Sequence, residues 1–232
     1  MNAIEARDIA KSFTGGDGGR IDVLDGVSLA VPAGELVAVV GASGAGKSTL
    51  LHLLGALDRP SRGEVLLQGE PLVGRDDESL AETRNRKVGF VFQFHHLLRE
   101  FSAEENVMMP MRIAGWEPAK ARAKSREILE RVGLGSRMSH RPGELSGGEQ
   151  QRTAVARALV MDPAVVLADE PSGNLDHQNA ERLHDEFVRL VRELGIAMVV
   201  VTHNRALASR ADRILVLEDG RLRAGAGQEG MA

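Results

Sequence analysis

The residues best suited to chemistry begin with the run Gly41-Ala42-Ser43-Gly44-Ala45-Gly46-Lys47-Ser48 in a chain of 232 residues. It matches the pattern G-x-x-x-x-G-K-[ST]. Glycines there let the backbone curl so that successive N–H groups point into one concavity at a helix start, a site for a polyphosphate. Lys47 is placed to reach β- and γ-phosphates and Ser48 to offer its hydroxyl to Mg²⁺; Thr49 joins them as a binding candidate. A second group is Asp169-Glu170, two carboxylates ending the apolar run 165–168. Alone, such a pair is commonly the solvated start of a loop. In a parallel sheet, however, the C-terminal strand ends face the ligand crevice. Beside a phosphate loop, Asp169 is suited to hold Mg²⁺ through its water shell, and Glu170 to polarise an attacking water as general base.

The elements that must position these groups are legible as apolar runs. Residues 36–40, 88–92, 165–168, 198–201 and 214–217 are apolar on consecutive positions, as in parallel strands buried on both faces. Helical spacing of leucines over 48–57, and of Leu183, Phe187, Leu190, Val191 and Leu194 over 179–194, separates them, which predicts an α/β fold. Two regions break the rhythm. Residues 4–31 contain short strand-like pieces around Gly15, Gly16, Gly18 and Gly19, expected to form a hairpin in a small antiparallel sheet at one edge. Residues 94–161 carry few strand signals and a helix pattern over 118–132 that starts at Glu117-Pro118. The expected organisation is one domain, with a core of 1–93 and 162–232 and an inserted helical lobe of about 94–161. A tight turn is predicted over 218–221, followed by a loose Gly-rich tail of about 224–232.

Composition narrows the partners. With 43% hydrophobic and 27% charged residues and a net charge of −4, the chain has no basic excess of the kind that nucleic acid attracts. The absence of cysteine rules out disulfides and thiolate metal sites and is compatible with a reducing compartment. No apolar run approaches the ~20 residues of a spanning helix, and residues 1–10 do not read as an export signal. The chain is therefore expected in the cytoplasm, serving any membrane process from the side.

Between the phosphate loop and the acidic strand lies Leu145-Ser146-Gly147-Gly148-Glu149-Gln150. A glycine pair opening a helix, expected over 149–160, reads as a second anion-binding helix N-terminus, and one nucleotide does not need two in one chain. In content and order these motifs resemble those of the ABC ATPases. The resemblance covers 4 to about 223 and implies a P-loop NTPase that hydrolyses ATP with Mg²⁺. It also implies a head-to-tail dimer in which Ser146, Gly147 and Gly148 cover the γ-phosphate held by the other copy. It further assigns Gln93 to sensing Mg²⁺ and the attacking water, and Ser172-Gly173-Asn174-Leu175-Asp176 to a loop crossing the dimer interface, with Asp176 at the nucleotide. His203 would contact the γ-phosphate and orient Glu170. Phe13, following Lys11-Ser12, is the candidate for stacking on adenine, with a core phenylalanine as the alternative. Two positions depart from the pattern: Ser172 stands where threonine is common, and Asn204 where many relatives have aspartate. The latter removes a negative charge that bears on how His203 is oriented.

One stretch is narrower. Phe92-Gln93-Phe94-His95-His96-Leu97-Leu98, then Glu104-Glu105-Asn106-Val107-Met108-Met109-Pro110, resembles the ATP-binding subunits of lipoprotein-releasing transporters. Residues 55–60 and 174–176 are shared with a wider group that includes macrolide-efflux and cell-division ATPases. The implied role is an ATPase on the cytoplasmic face of the inner membrane that powers lipoprotein release through integral-membrane subunits. The alternative is a macrolide-type pump or a regulatory cell-division complex. His95 and His96, adjacent in sequence, do not converge on one ion. The segment reads instead as the surface that receives the membrane partner, with Met108, Met109 and Met111 either in that contact or filling the core.

Overall fold

In the computed structural model, which describes residues 1–16 and 18–225, the chain opens with a hairpin of β1 (Asn2–Thr14) and β2 (Arg20–Pro32). There follow β3 (Leu36–Val40), α1 (Lys47–Leu54), β4 (Arg62–Leu67), β5 (Glu70–Pro71), α2 (Asp77–Lys87) and β6 (Val88–Phe92). Three helices come next, α3 (Ala103–Ile113), α4 (Pro118–Arg131) and α5 (Gly147–Leu159). The chain then returns through β7 (Val165–Asp169), α6 (His177–Leu194), β8 (Ala197–Val201), α7 (Arg205–Ala208), β9 (Arg213–Glu218) and β10 (Arg221–Ala224).

The apolar runs form a six-stranded sheet ordered β10-β9-β3-β8-β7-β6, in which only β10 runs antiparallel to its neighbour. Successive β8 residues enter opposite clusters: Met198 and Val200 pack under the helices with Met108, Leu129 and Phe187, while Val199 and Val201 pack with Leu50, Leu54 and Ile4. Burial on both faces is why these strands lack polar alternation. Register carries the functional consequence. Phe92 pairs with Asp169, Asp169 with Val201, and Val201 with Val39, so four strands end in one row and their following loops leave at one level. Gln93, Glu170, Thr202-His203 and the glycine loop are brought together by that row. The fold is thus mixed α/β, with a parallel-dominated sheet, an antiparallel sheet ordered β2-β1-β4-β5, and helices. Among the described residues, no helix is long and apolar enough to cross a membrane.

The structure departs from the sequence reading at several places. The hairpin strands run thirteen residues each, because register shifts near Ala6 and Ile9 let them bend without ending. Helix α1 stops at Leu54 instead of 57, because Ala56 turns to φ +54° just after the Gly55 cap; that end packs so closely on β6 that a Cβ on Gly55 would lie 2.3 Å from the Phe90 ring. At the other end, Ala224 pairs with Leu215 and the Gly225 N–H donates to the Ile214 carbonyl. The expected loose tail therefore begins as a strand, and 226–232 lie outside the described residues.

Candidate functional site

The glycine loop leaves β3 and enters α1 through two residues of positive φ, Gly44 at +80° and Gly46 at +97°. Gly46 is the N-cap of α1 and provides no side-chain cap, and the first turn of α1 contains no acid. Among the described residues no side chain therefore caps its first N–H groups, and the positive end of the helix dipole lies behind them. Gly41 must be glycine, since a Cβ would lie 2.3 Å from the Leu217 carbonyl oxygen. Lys47 Nζ donates to the Gly41 and Ala42 carbonyls, both at 2.9 Å, so the ammonium lies over the loop. Ser48 is exposed, Thr49 half-buried, and Ser43 and Ala45 flank an open cleft of about 520 Å³ that Ile21 and Val23 of β2 also line.

Glu170 adopts φ +45°, a left-handed conformation that costs a non-glycine residue about 1 kcal/mol or more and is found where surrounding structure holds it. Here the holding groups are hydrogen bonds. Glu170 Oε2 accepts from Thr202 Oγ1 at 3.1 Å, and Oε1 accepts from the His203 backbone N at 3.0 Å and pairs with His203 Nδ1 at 2.8 Å. The backbone joins in, with Glu170 N donating to the Val201 carbonyl. The structure thus brings Glu170 and His203 together. Thr202, fully buried, was missed by sequence reasoning; its only signal is a hydroxyl closing an apolar strand. Asn204 does not act on His203. Its side chain accepts from Leu207 N and caps α7, so the loss of charge relative to aspartate falls on a helix cap.

Asp169 is half-buried, and among the described residues no side chain partners its carboxylate. A carboxylate, the Ser48 hydroxyl and the Gln93 amide are hard oxygen donors of the type Mg²⁺ takes, so the donor set fits that ion. Gln93 Nε2 donates to Asn174 Oδ1 and Asn174 Nδ2 to the Gln93 carbonyl, each at 3.0 Å, which ties the loop after β6 to the loop before α6. In that second loop Asp176 is the N-cap of α6 and its carboxylate is held by Asn179.

Ser146 is the N-cap of α5 in a capping box: its hydroxyl accepts from Glu149 N, and Glu149 Oε2 accepts from Ser146 N. The spacing Ser-x-x-Glu carries that signal in the sequence. The Ser146 N–H, joined by Arg137 at 2.9 Å, draws the Glu149 carboxyl down to about 2. The helix therefore starts two residues before the expected 149, and its N-terminus already holds one carboxylate of its own.

Phe13 is 44% exposed, which removes the core alternative, and it pairs across the hairpin with Ile21 at the edge of the cleft. Lys11 Nζ lies 5.0 Å from the ring centroid. In the 92–98 segment, His95 pairs with the Gln151 side chain, while Arg157 binds the carbonyls of His95 and His96. Burial pushes the His95 imidazole down, towards neutrality. Met108 and Met111 are core residues of the helices, whereas the exposed apolar surface nearby belongs to Phe94, Leu98 and Phe101. Met108 and Met111 thus fill the core, because α3 turns that face onto α4 and α5.

Residues 24–173 match the family model described as ABC transporter. The chain is 53% identical over 219 residues to the lipoprotein-releasing system ATP-binding protein LolD of Geobacter metallireducens, covering 94% of this chain and 97% of the relative. Among solved structures it is similar to a dimeric bacterial ABC transporter cassette, with a TM-score of 0.86 at 37% identity over 95% of this chain and 96% of that one. It is also similar to a dimeric cassette in a post-hydrolysis state bound to ADP and Pi, with a TM-score of 0.85 at 35% identity over 95% and 98%. The chain belongs to the ABC transporter family and is one of its ATPases.

Proposed function

We propose that the chain is the ATP-hydrolysing subunit of a lipoprotein-releasing transporter, acting at the cytoplasmic face of the inner membrane on integral-membrane partner subunits. The single observation that carries the enzymatic part is the Glu170 carboxylate, held in a left-handed turn by Thr202 and His203 at the level of the glycine loop. The lipoprotein part rests on the name of the Geobacter relative and on the 92–98 stretch. Two copies would close head to tail on two ATP molecules, as the dimeric form of the similar cassette supports.

In this reading the N–H groups at the start of α1, with Gly41 to Ser43 before it, grip the β- and γ-phosphates, and Lys47 exchanges its two carbonyl partners for phosphate oxygens. Ser48, Gln93 and Asp169 would hold Mg²⁺, which supplies countercharge to the phosphates. Glu170 accepts the proton of the attacking water, and His203 keeps the carboxylate aimed and meets the γ-phosphate. Phe13 stacks on the adenine. Ser146, Gly147 and Gly148 cover the γ-phosphate of the second copy, with Asp176 at the shared interface. Phe94, Leu98 and Phe101 supply the apolar surface for the membrane subunits.

Replacing Glu170 with Gln tests the assignment. ATP turnover is expected to fall by ~10²–10⁴-fold, the usual worth of a general base. The ATP-bound dimer should accumulate in light scattering. Undiminished turnover removes Glu170 from that role. For the transport part, the chain and its co-purifying membrane subunits, reconstituted in liposomes, should release an acylated protein when ATP is added.

A further inference from the structure

The two glycines that open α5 face different demands. Gly147 is exposed, and a Cβ there would find Leu175 at 3.8 Å, an ordinary contact. Gly148 is buried, and its Cβ would lie 2.8 Å from Asn179 Oδ1 and 3.0 Å from Asn179 Cγ. The Asn179 side chain is not a flexible end that can step aside. Its Nδ2 donates to Asp176 Oδ2 at 2.5 Å, while its backbone N donates to Asp176 Oδ1 at 3.0 Å. Those two bonds also hold the Asp176 carboxyl below the usual carboxylate range. One planar amide, short and on the first turn of α6, therefore has its oxygen end against the second glycine of α5 and its nitrogen end on the cap of α6.

We propose that Asn179 is a positioning residue for ATP hydrolysis, which fixes the start of α5 against α6 while it holds Asp176, and that Gly148 is glycine because Asn179 fills the space of its Cβ. The glycine at 147 then answers to the other copy of the chain, and the glycine at 148 to the same copy. Asn179 touches no reacting atom. It sets the angle at which Ser146 and Gly147 are presented and keeps the loop ending at Asp176 in place, which couples the two segments that face the second copy. This deepens, and rests on, the proposed role of 146–148 as a cover for the second nucleotide.

The test uses the 232-residue chain with variants Gly148→Ala, Asn179→Ala, Asn179→Asp and the double variant Gly148→Ala/Asn179→Ala. For each, kcat and KM for ATP are measured, together with ATP-dependent dimerisation in a Glu170→Gln background. Gly148→Ala is expected to lower kcat about tenfold or more and to change KM less than about twofold, because the loop that grips ATP lies elsewhere. The double variant should recover to the level of Asn179→Ala alone, since truncation removes the atoms that a Cβ at 148 would meet. Asn179→Asp keeps the shape but turns a donor into a second carboxylate facing Asp176, and should lower kcat about threefold or more. A double variant no better than Gly148→Ala overturns the packing argument. An Asn179→Asp chain with unchanged kcat overturns the positioning role, and does so with Gly148 intact even if Gly148→Ala fails to fold. The underlying functional reading fails separately: Ser146→Ala and Gly147→Ala would then leave ATP-dependent dimerisation untouched.

Discussion

Helices α1 and α5 both open on glycine, yet they treat their first N–H groups in opposite ways. At α1 the N-cap is Gly46 in a left-handed conformation, with no side-chain cap and no acid in the first turn. At α5 the N-cap is Ser146, which with Glu149 closes a capping box, so the Ser146 and Glu149 N–H groups are already used. That leaves only the N–H groups of Gly147 and Gly148 outside the cap. A helix N-terminus carries about half a positive charge. At α1 no side chain of the first turn offsets it; at α5 Glu149 partly does, and Arg137 in turn pairs with that acid. Glycine content therefore does not define an anion site; what matters is whether the chain brings its own carboxylate. The start of α1 is thus uncapped by the chain's own side chains, and that of α5 is a narrower surface on which two N–H groups lie outside the capping box.

The strongest way to break this comparison is Gly46→Ala. At φ +97° a Cβ is strained, and it would also lie 3.0 Å from Val23 and Leu24. Binding of a fluorescent ATP analogue should weaken by ~100-fold, or about 2.7 kcal/mol, because the loop can no longer curl. Gly147→Ala meets nothing closer than 3.8 Å and should leave the unfolding midpoint of the nucleotide-free chain unchanged. ATP bound with wild-type affinity by Gly46→Ala would end the contrast.

A second effect concerns what holds α5 in place. Glu186 of α6 is 9% exposed, with Arg152 of α5 and Arg189 as its nearest cations, and burial pushes its carboxyl up to about 7. In the unfolded chain it titrates near 4.5. Between those values the folded state retains a proton that the unfolded state has lost, so Glu186 costs stability progressively as pH rises from about 4.5 to 7, by up to about 3 kcal/mol. Glu186→Gln should therefore raise the urea midpoint at pH 8 and leave it alone at pH 4. A gain of equal size at both values would mean that charge burial is not the cause.

The cap itself ranks next. Ser146→Ala should cost about 1 kcal/mol in urea unfolding, the usual worth of an N-cap hydroxyl. Ser48→Ala removes no cap and should cost nothing measurable by the same assay. Equal losses would show that α5 is not the capped member of the pair.

Much of the frame was legible because β3, β6, β8 and β7 up to Ala168 are largely buried on both faces and carry no polar side chain. Helix α2 was not, since Leu80 and Ala81 are its only apolar side chains and no stripe results. The short pair β4–β5 was hidden for a similar reason, the run Val65 to Leu67 being too brief to read. At the site, motif order and the resemblance pointed to Glu170 and His203 as partners, but the hydrogen bonds that join them could not be read. They depend on the register that aligns Asp169 with Val201, a long-range property absent from local pattern. Thr202, Asn179 and the role of Asn204 were invisible for the same cause: each is defined by a partner distant in sequence or by a cap one turn away.

The smallest expected effect isolates the charge of Glu149 from its shape. Glu149→Gln can still close a capping box, since glutamine also accepts from the N-cap N–H. It loses the negative charge that faces the helix dipole and Arg137, so a cost of about 0.5–1 kcal/mol at pH 7 is expected at low salt, less at high salt. The sign with pH follows from where the carboxyl titrates. Its folded value is drawn from 4.5 to about 2 by the Ser146 N–H and Arg137, so its stabilisation is fully present above about 4.5 and lost as pH falls towards 2. The gap in urea midpoint between wild type and Glu149→Gln should thus shrink between pH 4.5 and pH 3 and stay flat from pH 5 to 7. A gap that does not shrink in acid would mean that Glu149 acts at α5 by shape alone, leaving the dipole there as open to an outside anion as the one at α1.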